Sequence, residues 1–160
     1  MRKRELLKFL LKALLFGAPL CFAWMEMLSD EYLRVLYSIG HPLLDFLGVK
    51  KWWMALLMFH FATIVAYVTL VLATPGLFHR IGRNMVGFVA GLAIIIIMHL
   101  ILVYAVYFAN LEFGLRQTFH IITLPLYLIN DILPFALWLL WFPQARELFF
   151  ETSSVEAEQR

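Results

Sequence analysis

Ionisable side chains are rare within the long apolar stretches of this chain, and they are the residues that could do chemistry there. An ionisable group at the centre of a bilayer costs roughly 2.5–3.5 kcal/mol, so each of them indicates a functional site. Carboxylates and imidazoles can transfer protons, and a pair of imidazoles can ligate a haem iron. The candidates, with the polar residues that could bond to them, are Glu26, His60, His99, Arg116, His120, Tyr127, Asn130 and Asp131.

The last apolar segment, FHIITLPLYLINDILPFALWLLWFP, contains several of these candidates. His120 and Asp131 are eleven residues apart, which at ~100° per residue brings them to within about 20° of the same helix face. Tyr127 lies one turn from Asp131 on that face. Pro125 and Pro134 each free a backbone carbonyl four residues earlier, and those carbonyls need partners within the protein. The segment therefore predicts a bent, polar helix with Asp131 facing the bundle.

The composition identifies the class of protein that must hold these residues. The 160 residues are 63% hydrophobic, well above the roughly 45–50% apolar share of soluble domains. A net charge of only +2 does not favour nucleic-acid binding, which needs clustered positive charge. The only cysteine is Cys21, so an intramolecular disulfide is excluded. The sequence predicts an all-α membrane protein.

The apolar segments predict how many times the chain crosses the membrane. A spanning helix needs about 20 predominantly apolar residues, and four segments qualify, residues 6–28, 53–73, 85–109 and 119–142. The pattern GFVAG within the third segment would let helices approach closely. We expect a single transmembrane domain built as a four-transmembrane-helix bundle, followed by a solvated tail of residues 143–160.

The distribution of Lys and Arg predicts the orientation of these spans. Basic residues accumulate at the N-terminus and in the loop of residues 74–84, which holds no acidic residue. Both segments are expected in the cytoplasm. An even number of spans then gives a bacterial inner-membrane protein with both termini cytoplasmic. The candidate polar residues fall in the outer half of the membrane or near its centre.

The segment between the first two predicted spans has a helical pattern of apolar residues. Ser29 can cap its start and Pro42 can break it, so we expect short outer amphipathic helices that lie on the membrane surface. This surface is a candidate partner-binding loop. The residues expected to contact a partner are Leu33, Leu36, Tyr37 and Leu44.

Three stretches, HPLLDFLGV, HRIGRNMVGFVAGLAIIIIMHLILV and FGLRQTFH, resemble the exosortase/archaeosortase family of membrane-embedded protein-sorting transpeptidases. The resemblance covers about residues 32–141. That family places a cysteine nucleophile, an arginine and a histidine at the outer membrane face. Arg116 and His120 match this pattern, but no cysteine follows Cys21. The resemblance therefore implies a non-catalytic, exosortase-associated relative.

These observations favour a non-enzymatic accessory protein of an envelope protein-sorting or export system. It would lie in the membrane lipid and bind another integral membrane protein, such as an exosortase. We expect no cofactor and no metal site. Self-association as a homo-oligomer is also possible. One alternative is a membrane protein that binds haem through His60 and His99, which would lie at similar depth on antiparallel neighbours. Another is a small transporter or proton relay that uses Asp131 and the histidines.

Overall fold

The computed structural model describes residues 2–46, 57–77, 81–113 and 116–149. Within these ranges, residues 2–3, 43–44, 58 and 109–122 are described by their backbone only. Within these ranges the chain is almost entirely helical and has no β-strand, which confirms the all-α prediction. The elements are α1 (Arg2–Ala23), a π-helical turn (Trp24–Leu28), α2 (Ser29–Phe46), α3 (Met58–Phe61), α4 (Thr63–Ala73), α5 (Ile81–Phe113), α6 (Arg116–Trp141) and α7 (Pro143–Phe149).

Among the described residues, three helices are long and apolar enough to cross a membrane, Arg4–Pro42, Ile81–Phe108 and Thr123–Trp141. They indicate an integral membrane protein. A shorter apolar helix covers Phe59–Ala73 and is about 22 Å long at ~1.5 Å per residue, less than the ~30 Å hydrocarbon core. Because the outer end of the predicted second span lies outside the described residues, the count of four spans stays a prediction.

The first helix continues past its predicted end. Ser29 does not cap a separate surface helix, because its amide donates to the carbonyl of Trp24 in the i to i−5 pattern of a π-helix. A π-turn contains one extra residue and so offsets the helix faces before and after it by about 100°. The offset turns Leu33 and Leu36 into the bundle, where both are buried. Pro42 lies inside α2 and does not end it. The expected short surface helices are therefore one helical continuation of the first span.

Two apolar clusters hold the helices together. The first joins the π-helical turn and α2 to α3, α4 and α5, and its buried members include Trp24, Leu36, Phe61 and Val103. The second, at the other end of the bundle, joins α1, α4, α5, α6 and α7 around Tyr67, Trp138 and Phe142. The two clusters thus pack the two ends of the bundle.

The start of the tail also belongs to the second cluster. Residues 143–149 were expected to be solvated, but Pro143–Phe149 forms α7. Ala145 and Leu148 on this helix are buried. They lie three residues apart, so they share one helix face that packs against the bundle.

The glycines of the GFVAG pattern lie where helices α4, α5 and α6 approach closely. The phenol ring of Tyr67 occupies the space that a side chain at Gly91 would need, and the Trp141 side chain lies against Gly87. The Tyr67 hydroxyl donates to the Gly87 carbonyl at 2.9 Å. Small residues therefore set the distance between these helices, as the pattern predicts.

Candidate functional site

Five of the predicted site residues lie together between α3, α5 and α6, joined by hydrogen bonds, an ion pair and a ring contact. Two residues that the sequence analysis missed, Tyr32 on α2 and Thr63 on α4, connect to them. The hydrogen-bonded set, called the His99 network below, consists of Tyr32, His60, Thr63, His99 and Asn130.

The network begins at a break in the second apolar helix. Ala62 separates α3 from α4, so the carbonyl of His60 lies at a helix end, where regular backbone bonding is lost. Thr63 Oγ1 donates to this carbonyl at 3.0 Å, and Asn130 Nδ2 donates to it at 2.8 Å from α6. Backbone groups inside a bilayer must be satisfied by the protein, and here two side chains do so.

His99 extends the network to α2 and α5. Its Nε2 is 2.8 Å from Thr63 Oγ1, and its Nδ1 is 2.6 Å from the Tyr32 hydroxyl. Because the Thr63 proton goes to the His60 carbonyl, Thr63 Oγ1 must accept from His99 Nε2–H. Nδ1 then accepts from Tyr32. These assignments, made from the network, give one direction of donation: Tyr32 to His99, His99 to Thr63, and Thr63 to the His60 carbonyl.

This direction of donation limits the chemistry of His99. The side chain is fully buried, and both ring nitrogens are engaged by protein groups. An iron ligand needs a nitrogen lone pair, and the only lone pair of this tautomer receives the Tyr32 proton. The chain of donors also ends at a backbone carbonyl, which has no proton to pass on. Haem ligation and proton relay would each require this network to open.

The ring of His60 faces a different pair of residues. It stacks on Tyr127 with ring centroids 3.9 Å apart and planes 4° apart. Its Nδ1 lies 4.0 Å from Asp131 Oδ1, at the outer limit of an ion pair. His60 thus belongs to the network through its carbonyl and to the Asp131 pair through its ring.

Asp131 does not face the interior as expected. Its side chain is 58% exposed, whereas the side chain of Asn130 is 0% exposed. Successive residues on a helix point about 100° apart, so only one of the two can point inward. Asn130 takes that position because its amide group can donate to the His60 carbonyl, which a carboxylate cannot do.

Among the remaining predicted residues, Glu26 is the one with a described side chain, and it does not join this site. Glu26 is exposed on the π-helical turn, and no hydrogen bond or ion pair among the described residues links it to the network. The helix α6 includes Arg116 and His120, whose side chains lie outside the described part of the chain. No cluster of three His, Cys, Asp or Glu side chains in the described ranges could hold a metal ion.

The predicted partner-binding loop is largely turned inward. Leu33 and Leu36 are buried against α3 and α5, so they are not open to a partner, because the π-turn rotates this apolar face into the bundle. Tyr37 is half-buried and donates to Asp45 at 2.8 Å. Leu44 has a side chain outside the described residues.

No family model, curated protein or solved structure matches this chain. The resemblance to exosortases therefore stays a prediction.

Proposed function

We propose that this chain is a non-enzymatic accessory protein of the bacterial inner membrane that binds another integral membrane protein and serves an envelope protein-sorting or export system. The exposure of Asp131 carries this proposal. Ionisable residues within spans normally face a bundle interior or an aqueous cavity and pair with other groups. An exposed carboxylate on the flank of a span therefore marks a surface that another molecule covers.

The position of Asp131 along its span makes its exposure costly. It lies within the candidate span Thr123–Trp141, about 12 Å from one end and about 15 Å from the other at ~1.5 Å per residue. Acyl chains at this depth offer no hydrogen-bond donor. His60 approaches only to 4.0 Å, so most of the carboxylate is left for a group from outside the chain.

The residues around Asp131 indicate which chemistry the partner's surface should have. Leu128 and Phe135 lie one turn from Asp131 on either side along α6, and both are exposed. Phe59, next to His60, is exposed as well. A transmembrane helix that is apolar but carries one hydrogen-bond donor or cation would match this flank. A symmetric pair of these flanks would bring two carboxylates together, which favours a different protein over a second copy.

The interior supports binding over catalysis. The hydrogen-bonding groups of His99 and Thr63 are used within the His99 network, where polar contacts between helices stabilise a bundle. The one thiol, Cys21, is exposed on α1 and belongs to no polar cluster among the described residues. We therefore expect Cys21→Ala to leave function intact.

Photo-crosslinking in cells tests the Asp131 flank directly. A photo-reactive amino acid at Leu128, which is 54% exposed beside Asp131, should give one discrete crosslinked protein. The same group at Leu14, which is 70% exposed on α1, is the matched control and should crosslink to lipid only. Asp131→Leu should abolish the crosslink from position 128, whereas Asp131→Asn should keep part of it because an amide can still accept a hydrogen bond.

Two outcomes would contradict the proposal. One is a crosslink from position 128 that Asp131→Leu leaves unchanged at equal protein level. The other is the same crosslinked protein from position 14, since contact would then not depend on the Asp131 flank. A crosslink between two differently tagged copies of the chain would identify the partner as the protein itself.

A further inference from the structure

Three side chains near the end of α2 form a polar cluster that is separate from the His99 network and from the Asp131 flank. Tyr37, His41 and Asp45 follow one another at intervals of four residues on this helix, so they lie along one of its faces. Pro42, in the same stretch, is the last residue of the candidate span that begins at Arg4. The side chains of His41 and Asp45 are 56% and 50% exposed, so a solute can reach both.

The distance between His41 and Asp45 suits a shared metal ion. His41 Nε2 lies 3.0 Å from Asp45 Oδ2, yet no hydrogen bond of normal alignment joins these two side chains among the described residues. At about 2.1 Å from one ion, two ligand atoms lie about 3.0 Å apart at a right angle and about 3.4 Å apart at the tetrahedral angle. The imidazole lone pair then points at the ion and away from the line that joins the two ligand atoms. The pair therefore has the spacing of two ligands of one ion.

Tyr37 holds both members of this pair in place. Its hydroxyl donates to Asp45 Oδ1 at 2.8 Å, which is the carboxylate oxygen that the His41 contact leaves free. Its ring packs edge-on against the His41 imidazole, with ring centroids 5.5 Å apart and planes at 85°. Ligating carboxylates are commonly hydrogen-bonded in this way, which orients them for the metal ion. Tyr37 is thus a positioning residue for both ligands.

We propose that His41 and Asp45 bind a divalent transition-metal ion and that Tyr37 orients them. An imidazole together with a carboxylate suits Zn²⁺ or Cu²⁺, whereas Mg²⁺ and Ca²⁺ prefer oxygen ligands. No third His, Cys, Asp or Glu side chain in the described ranges joins this pair, so water takes the other coordination positions. This proposal replaces the sequence-based expectation of no metal site. It does not depend on the Asp131 flank, so either proposal can fail without the other.

Isothermal titration calorimetry with Zn²⁺ tests this assignment on the purified full-length chain without a polyhistidine tag. His41→Ala and Asp45→Asn should each weaken binding at least about tenfold, and Tyr37→Phe should weaken it about tenfold through loss of ligand orientation. Glu31→Gln is the matched control for Asp45→Asn. Glu31 is an exposed carboxylate on the same helix that pairs with Arg34 at 2.7 Å, and its loss should leave Zn²⁺ binding unchanged.

Electron paramagnetic resonance of Cu²⁺ bound to the chain identifies the ligand directly. The spectrum should show coupling to an imidazole nitrogen, and His41→Ala should remove that coupling. A purely structural role of His41 would not change the spectrum in this way. Because His41 and Asp45 are exposed, their variants should keep native helicity, which circular dichroism checks.

Three results would overturn the proposal. They are Zn²⁺ binding that His41→Ala or Tyr37→Phe leaves undiminished, equal effects of Asp45→Asn and Glu31→Gln, and displacement of Zn²⁺ by an equal concentration of Mg²⁺. Saturable Zn²⁺ binding that both ligand variants lose at native helicity supports the site.

Discussion

The His99 network and the contact around Tyr67 lie on the same two helices, α4 and α5, yet they join them in different ways. In the network, four side chains and a backbone carbonyl exchange hydrogen bonds across several helices. Around Tyr67, the ring fills the space left by Gly91 and its hydroxyl caps the Gly87 carbonyl.

The difference shows how register and distance are set separately. Hydrogen bonds are directional, so the His99 network fixes which residues meet along the helices. Glycines remove side-chain bulk, so the Tyr67 contact fixes how close the backbones come. A substitution that adds volume should therefore act mainly on the Tyr67 contact, and one that removes a hydroxyl should act mainly on the network.

Gly91→Ala should have the largest effect on stability. A Cβ at this position would overlap the buried ring of Tyr67, and overpacking of this kind costs about 3 kcal/mol. Equilibrium unfolding in mixed SDS micelles, followed by circular dichroism, measures the change. Gly82→Ala is the matched control, because no side chain or neighbouring helix among the described residues lies within 4 Å of its Cβ position, and it should be neutral or slightly stabilising. Equal effects of the two variants would contradict the close approach.

Thr63→Val should rank second. It leaves His99 Nε2–H without its acceptor and removes one donor from the His60 carbonyl, which should lower the free energy of unfolding by about 1–2 kcal/mol. Tyr32→Phe breaks the other side of His99. Because both bonds share one imidazole, the double variant should deviate from additivity by at least about 0.5 kcal/mol. Additive effects would show that the two bonds act independently.

Substitutions of two further threonines, Thr74 and Thr69, should have the smallest effects on stability, and the two effects should differ in sign or size. Thr74 Oγ1 accepts from Trp138 Nε1 at 2.7 Å, so Thr74→Val leaves a buried donor unpaired and should destabilise by about 1 kcal/mol. Thr69 Oγ1 is buried with no hydrogen-bond partner in the described chain. Thr69→Val should therefore be neutral or stabilising in the same unfolding assay. The reverse order would mean that the Trp138 bond contributes nothing.

Much of the candidate site follows from residue depth in the predicted spans. His60, His99 and Asn130 are polar residues near the middle of apolar stretches, and the physical cost of such positions draws attention to them. Thr63 could have been found as well, because it lies one turn after His60 and carries a hydroxyl inside an apolar run. Tyr32 could not, because the segment that contains it was expected on the membrane surface.

The assignment of Asn130 and Asp131 required the tertiary structure. Both residues are polar and adjacent, and the helical periodicity that pairs Asp131 with His120 predicted the wrong one of the two to face inward. The break in the helix at Ala62 determines which of the two faces inward, since the His60 carbonyl at this break needs a donor and Asn130 supplies one. No proline or glycine near Ala62 predicts this break from the sequence.

By itself, the sequence determined that this is an all-helical membrane protein with polar residues at mid-depth, because apolar length and composition depend only on local residues. The tertiary structure decided which of those residues meet. The π-helical turn rotates α2 onto the bundle, the break at Ala62 recruits Asn130, and Asp131 is left on the flank. The last two outcomes depend on the pairing of the His60 carbonyl with the distant Asn130 side chain, and no local pattern encodes that pairing.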